Sequence, residues 1–512
     1  MNSLANNYIE IMDTTLRDGE QTSGISFSEN EKLTISKLLI NELSVDRIEI
    51  ASARVSIGEF HSVKKICDWA KEEGHPKKIE VLTFLDNGLS LEWINKAGCK
   101  VQNLLTKGSL NHLKNQLGQK PQEHFQKIQK VLDKADKSKI LTNVYLEDWS
   151  NGMKNSKEYV FSLLDFLSKT TVKRVMLPDT LGILTPKKTG NFINEITSKY
   201  PKIHFDFHGH NDYDLGVSNT LEAVRNGIKG IHLTVNGMGE RAGNVALESA
   251  VAAINDFIPN IKLNIKENSL YKVSQLVSTF TGYRISPNKP IVGSNVFTQT
   301  AGIHADGDNK KNLYYNDLIP ERFGRKRSYA LGKMSGKANV VKNLEELGVT
   351  LNEEDLKKVT KRVIELGDKK QKITRSDLPY IISDVLDSED KKNNIKIHSY
   401  VLTHSKGLRP STTISIDFYG EIIEENATGD GQFDAFYNAL KKIFKTKKMN
   451  LPELVDYFVH IPPGSSSDAF CETIITWKNT SFEFTTRGFD SDQTVSAIKA
   501  TEKMLNSIDT SK

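Results

Sequence analysis

The chain has 512 residues, 38% hydrophobic and 26% charged, with 33 Gly and 14 Pro, a usage that excludes a collagenous, coiled-coil or largely disordered protein. At about 150 residues per domain this length suggests roughly three domains. Basic residues number 69 and acidic residues 64, for a net charge of +5, which gives no case for nucleic acid but suits an anionic small molecule. No stretch approaches about 18 uncharged apolar residues, and the start, MNSLANNYIE, lacks a basic segment followed by an apolar run. A cytoplasmic protein with no membrane partner is expected. Cys67, Cys99 and Cys471 are far apart in sequence and form no CxxC pair, so three buried thiols are expected rather than a disulfide framework or a zinc knuckle.

In chain order, residues 8–256 repeat one rhythm. Strand-like apolar runs at 8–12, 46–50, 78–82, 100–104, 140–147, 174–177, 203–208 and 230–235 alternate with amphipathic stretches such as 29–43, 59–71, 121–135, 159–168 and 216–226, which place apolar residues at i, i+3 and i+4. Eight such units predict a (β/α)8 barrel over residues 1–265. An open doubly wound sheet is the alternative, but no GxGxxG follows the first strand. Past residue 265 the pattern loosens into helical pieces and a polar stretch at 306–327, predicting a mostly helical connecting subdomain over 266–390 that closes in a linker at 387–394. Strand alternation returns at 395–402, 412–419, 456–461 and 472–477. ATGDGQFDAFYNALKKIF (427–444) and TTRGFDSDQTVSAIKATEKML (485–505) each set a Gly and Asp turn before a helix, a weak repeat. An α+β C-terminal domain over 391–512 is expected, with two halves about a pseudo-twofold axis and a pocket between them.

Side chains two apart on a strand share a face, so His208 and His210 in HFDFHGHND can reach one cation together. The carboxyl ends of barrel strands face the site, and Asp18, just past the first strand, meets the pair across the mouth. Two imidazoles and a carboxylate suit a divalent ion, Zn2+, Mn2+ or Mg2+, that polarises an oxygen ligand. The plainer alternative is a pair of hydrogen-bonded strand-end histidines.

DTTLRDGEQTSG (13–24), HGHNDYDLGVSN (208–219) and NGMGERAGNVALE (236–248) resemble the signatures of the metal-dependent Claisen-condensing enzymes that comprise isopropylmalate, homocitrate and citramalate synthases. The resemblance extends into a C-terminal part similar to the regulatory domain of that family. It implies a TIM barrel, a divalent metal ion, acetyl-CoA as co-substrate, an α-keto acid as acceptor and a homodimer. Arg17 can pair with the keto acid and with the oxyanion that develops on its carbonyl; the alternative is a surface ion pair. Thr180 in LPDTLG either hydrogen-bonds the substrate carboxylate or caps a helix. For Asn244 the resemblance implies a position in or next to the metal shell, although an Asn after Gly243 is also a common turn residue. Glu147 ends strand five and is a candidate acid/base group for proton transfer at an acetyl thioester, while Asp148 points away by alternation and caps a turn. In TAGIHADGDNKKNLYY, the resemblance implies that His304 and Tyr314 complete the active site of the other subunit. The basic run Lys310, Lys311, Arg322, Arg325, Lys326 and Arg327 either meets coenzyme A phosphates or is a solvated face.

Related lyases carry a catalytic Cys in the loop that here reads NGMGERAGN, and carboxyltransferase barrels a metal-binding Lys where this chain has Pro178; both readings are disfavoured by these absences. A sensor that merely kept the barrel has no physical need for so many convergent polar groups. Isopropylmalate and homocitrate synthases commonly have an FSPED-like fifth strand, with a small residue where this chain has Tyr145. With Leu82 and Leu104 ending strands three and four, Tyr145 fills the space for a larger group and leaves room for a methyl, so pyruvate is the expected acceptor and 2-oxoisovalerate the runner-up. The C-terminal domain is expected to be regulatory, with isoleucine as effector. Turn amides and Asp434 would hold its charged ends, and Phe433, Leu454, Tyr457 and Ile461 its side chain. Dimer glue is the plainer role.

Overall fold

A computed structural model describes residues 8–309, 313, 316–368, 373, 375, 378–386, 395–460, 471–479, 482–490 and 492–507. Eight parallel strands close into a barrel in sequence order: β1 (Glu10–Asp13), β2 (Arg47–Ser52), β3 (Ile79–Thr83), β4 (Val101–Lys107), β5 (Leu141–Glu147), β6 (Arg174–Asp179), β7 (Phe205–Gly209) and β8 (Gly230–Leu233). Alternate residues, among them Ile48, Ile50, Val81, Val144, Leu177, Phe207 and Ile231, point outward into one apolar core shared with the surrounding helices. The open-sheet alternative is thereby excluded. The helices start where side chains can cap them: Ser28 with a capping box to Glu31, Ser56 before Ile57–Glu72, and Thr185 ahead of Pro186. The stretch expected as one helix over 29–43 is an α-helix, Glu29–Lys37, continued by a wider π-helical segment, Leu38–Leu43.

Cys67 and Cys99 are adjacent in space despite their separation in sequence. Cys67 lies on the helix Ile57–Glu72 and Cys99 precedes β4, and their buried sulfurs are 3.0 Å apart as free thiols. All three cysteines are buried free thiols, as expected, although sequence spacing gives no sign that two of them meet across a βα unit.

The chain forms two compact units, residues 1–298 with 314–328 and residues 299–313 with 329–512. The first takes in part of the stretch read as a connecting subdomain: the helix Leu270–Thr281 packs onto the barrel through Val273 and Val277, and Ser274 O accepts from Asn236 Nδ2 at 3.0 Å. A two-stranded ribbon, β9 (Thr298–Gln299) and β10 (Ser328–Tyr329), marks the passages from the first unit to the second.

In the second unit, the helices Lys337–Glu346, Glu353–Asp368 and Leu378–Leu386 bury Val340, Leu344, Val359 and Val363. The C-terminal part is a repeat. β11 (Ile395–Thr403), β12 (Ser411–Phe418) and β13 (Glu421–Thr428) form an antiparallel sheet followed by the helix Gln432–Thr446. β14 (Glu453–His460), β15 (Cys471–Lys478) and β16 (Glu483–Asp490) form another, followed by Gln493–Ser507. Both halves contribute to one core, with Ile414, Phe436 and Phe444 from the first half and Ile475, Trp477 and Met504 from the second. β13 and β16 were not expected. EIIEENAT carries three carboxylates and is largely exposed, so its alternation is masked. The linker expected at 387–394 lies outside the described residues. Among the described residues no helix is long and apolar enough to cross a membrane.

Candidate active site

A barrel lumen is ordinarily a packed apolar plug. Here Met12, Leu82, Tyr145 and Met176, with Leu105 against them, make a small apolar cluster, and charged side chains from the same inward faces surround it. Buried Arg47 pairs with Glu80 at 3.1 Å and Asp206 at 2.6 Å. Fully buried Glu49 accepts from Thr14 Oγ1 at 2.9 Å, Arg17 Nε at 2.6 Å and Asn103 Nδ2 at 2.7 Å.

At the carboxyl-end mouth, one donor atom each of Asp18, His208 and His210 lies within 4.8 Å of the others, and all three residues are buried. β7 and its continuation present both histidines on the face that carries Asp206. Asp18 arrives on a tight turn, in which the N–H groups of Arg17, Asp18 and Gly19 all reach Thr14 O. The loop after β8 brings in Asn244: Asn211 N–H donates to Gly243 O, and Val245 N–H to Gly209 O. Gly243 has φ +81, and a Cβ there would lie 2.0 Å from Gly237 O; one on Gly239 would lie 2.2 Å from Asn244 Nδ2. NGMGERAGN can close this way only with those glycines. Asn244 Nδ2 donates to Asp18 Oδ1 at 3.1 Å and to Met238 O at 3.0 Å.

His208 Nδ1, His210 Nδ1 and Asn244 Oδ1 are buried with no hydrogen-bond partner among the described residues. Leaving such atoms unpaired costs about 1 to 3 kcal/mol each, and a carboxylate, two imidazoles and an amide oxygen form a donor set that fits a divalent cation. Burial lowers His210 to about 4, so its imidazole is neutral and free to bind metal at neutral pH. Burial alone would raise Asp18, but the Arg17 guanidinium, with His208 and His210, holds it well below the usual carboxylate range.

Arg17 lies between these groups with its side chain 9% exposed and is no surface ion pair. Its Nε donates to Glu49, its Nη1 to Asp18 Oδ2 at 2.7 Å and its Nη2 to the Tyr145 hydroxyl at 3.3 Å. The Tyr145 ring meets His208 edge-on at 6.0 Å and His232 at 5.5 Å. Leu82 joins Tyr145 in the lumen. Leu104 does not: it points outward into the core behind the barrel, and Leu105 occupies the inward position. The assignment of Leu104 to the pocket was one residue out of register, and on a strand one residue reverses the face.

Glu147 stands at the mouth, on the same face of β5 as Tyr145, and is ion-paired with Lys107 at the end of β4; His112 Nδ1 is 3.9 Å from its other oxygen. Asp148, with φ 62, turns the chain out of β5 and accepts from Ser109 Oγ at 2.6 Å and Asn151 Nδ2 at 2.8 Å. Thr180 is not a helix cap: its hydroxyl accepts from Asp148 N–H at 3.0 Å, and Thr185 caps the next helix. Arg322 is bound by Glu267 and Asp256, each at 2.6 Å, and Arg325 donates to the carbonyls of Ile291 and Gly293, so both are structural rather than a free phosphate-binding face. Lys310, Lys311 and Tyr314 lie outside the described residues. His304 sits on the helix Gly302–Asn309 in the second unit.

In the C-terminal part Phe433 packs against Tyr457 at 5.2 Å, and Leu454 is half-buried beside the core. Exposed Asp434 accepts from Asp430 N–H at 2.9 Å within its own turn. Ile461 lies outside the described residues.

Sequence reasoning missed Glu49, Lys107, Asp206 and His232. A signal was present: RIEIAS, FDFHG and GIHL place a charged or imidazole side chain at inward positions of otherwise apolar strands.

Residues 8–277 match the HMGL-like family, residues 291–371 the homocitrate synthase post-HMGL domain-like family and residues 372–509 the LeuA allosteric (dimerisation) domain. The chain is 33% identical over 502 residues to (R)-citramalate synthase of Methanocaldococcus jannaschii, covering 97% of this chain and 99% of that one. It is 30% identical over 510 residues to 2-isopropylmalate synthase of the same organism, covering 98% and 94%. To 2-isopropylmalate synthase of Aquifex aeolicus it is 30% identical over 508 residues, covering 97% and 95%.

Proposed function

We infer the reaction of this chain from its membership: it belongs to the HMGL-like family, among the condensing synthases that carry a homocitrate-synthase-type connecting domain and a LeuA dimerisation domain. The reaction is the citramalate synthase one. The methyl carbon of acetyl-CoA loses a proton and bonds to the keto carbon of pyruvate, whose oxygen gains a proton. Water then cleaves the thioester, releasing (R)-citramalate and coenzyme A.

A divalent ion held by Asp18, His208, His210 and Asn244 would supply Lewis acidity toward the keto-acid carbonyl. Arg17, fixed by Glu49, Asp18 and Tyr145, stabilises the negative charge that develops on that oxygen, and a preorganised guanidinium in a buried site does so without reorganising. The Thr180 hydroxyl, whose oxygen already accepts from Asp148 N–H, has its proton free to donate to the pyruvate carboxylate. Glu147, ion-paired with the Lys107 ammonium at the mouth, exchanges the proton at the acetyl side. The same reading makes the chain a cytoplasmic homodimer in which His304 and Tyr314 of one subunit complete the site of the other. Isoleucine inhibits through the C-terminal domain.

One observation carries the choice of pyruvate. The Tyr145 ring stands in the lumen beside Arg17 and His208, in one cluster with Leu82, Met12 and Met176, so a small apolar space is what remains for the acceptor's side chain. The relatives at 30 to 33% identity include both citramalate and isopropylmalate synthases and do not decide between them. The test is free coenzyme A release from acetyl-CoA with pyruvate, 2-oxobutyrate, 2-oxoisovalerate or 2-oxoglutarate in parallel. Pyruvate is expected to have the highest kcat/KM. A preference for 2-oxoisovalerate would make the chain an isopropylmalate synthase.

A further inference from the structure

Tyr145 can limit the size of the acceptor only if its ring does not swing aside, and two buried polar residues with no part in the chemistry hold it. Its hydroxyl lies 3.0 Å from His232 Nδ1, and His232 Nε2 lies 3.0 Å from Asp206 Oδ2. The lower end of this chain of contacts sets its direction. Asp206 Oδ2 accepts from Arg47 Nη2 at 2.6 Å, and a carboxylate paired with a guanidinium can only accept. His232 Nε2 must therefore carry the ring proton and donate it to Asp206. A neutral imidazole has one N–H, so Nδ1 offers a lone pair and the Tyr145 hydroxyl donates to it. The phenol has a single proton. With that proton turned to His232, Glu49 Oε2 at 3.5 Å is not its acceptor, and the phenol oxygen presents its lone pairs to Arg17 Nη2 at 3.3 Å.

Arg47, Asp206, His232 and Tyr145 are each at most 4% exposed. With water excluded, a lost partner is not replaced, so the column is stiff, and removing one member leaves another unsatisfied. We propose that His232, oriented by Asp206, is a positioning residue that locks the Tyr145 ring across the acceptor pocket and so sets which keto acid the enzyme takes. The proposal rests on the reading of Tyr145 as the wall of that pocket.

The test uses the full-length, metal-loaded protein and compares kcat/KM for pyruvate and 2-oxobutyrate in the parent enzyme, His232→Leu and His232→Asn. Leucine fills the space without an acceptor, whereas the asparagine amide oxygen falls near the place of Nδ1. A ring free to rotate discriminates poorly against one methylene, so the pyruvate preference should fall at least about fivefold in His232→Leu, with metal content unchanged, and return to within about twofold of the parent value in His232→Asn. A merely structural role would lower both substrates together. An unchanged ratio in His232→Leu overturns the proposal, as does an asparagine variant no more selective than the leucine one. Should His232→Leu fail to fold, Asp206→Ala, which leaves the imidazole in place without its acceptor, must lower the ratio, and an unchanged ratio there is equally fatal. Failure of the pyruvate reading shows separately, in the parent enzyme before any substitution. The ratio is then taken between the preferred keto acid and its next longer homologue.

Discussion

Asp18, His208 and His210 are buried with one donor atom each within 4.8 Å of the others, and experiment separates a metal site from hydrogen-bonded strand-end histidines. Removing one donor leaves too few for a stable site, so Asp18→Ala or His210→Ala should lose bound metal on dialysis and at least about 100-fold in turnover. Elemental analysis and the coenzyme A assay check both losses, and a variant fully active after chelation would remove the metal from the reading. Tyr145 is a question of volume. Tyr145→Val deletes the phenol from the cluster with Leu82 and Met176 and should raise kcat/KM for 2-oxobutyrate relative to pyruvate about tenfold. If the ratio stays put or moves toward pyruvate, the ring does not bound the acceptor.

The barrel strands hold their helices partly through polar contacts, and one of these makes stability depend on pH. His124, on the helix Pro121–Lys137, is fully buried, and its Nε2 accepts from the Lys107 N–H of β4 at 3.2 Å. Burial, with the charges of Lys107 and Lys127, lowers His124 from 6.5 to about 4. Protonation would put a hydrogen on the nitrogen that must accept. Because the folded value lies below the unfolded one, the contribution is present in full above about pH 6.5 and is lost as pH falls toward 4, by about 3 kcal/mol. His124→Asn should unfold less steeply with acid than the parent between those values, and denaturant midpoints at pH 7 and 4.5 measure it. Equal acid sensitivity in the two proteins would show that His124 is not the group responsible. Strands also account for the one misplaced pocket residue: strand position was legible within a few residues, but inward and outward faces exchange with a single step, which put Leu104 where Leu105 belongs.

The C-terminal part, residues 391–512, supplies none of the groups assigned to the active site, and the role we propose for it is assembly and control, a reading that its match to a LeuA allosteric (dimerisation) domain supports. An effector acts only through different affinities for the arrangements it connects. If the ligand's side chain lies against Phe433 and Tyr457, Phe433→Ala should raise the isoleucine concentration for half-inhibition about tenfold, with uninhibited turnover within about twofold of the parent. Inhibition curves with isoleucine and leucine decide this; an intact enzyme indifferent to both would end the regulatory reading. The order of parts could be read from the chain alone, because alternating strand and helix periods, three signature segments and a repeated turn before a helix are local patterns. So could Asp18, His208, His210 and Arg17, which stand in those segments. Closure of the barrel was needed to show that Glu49, from the second strand, braces Arg17, that Lys107 pairs with Glu147, and that His232, held by Asp206, reaches the Tyr145 hydroxyl. These contacts join residues 26 to 87 apart in sequence, and a pattern of period two states which face a side chain takes but not what it meets across the lumen.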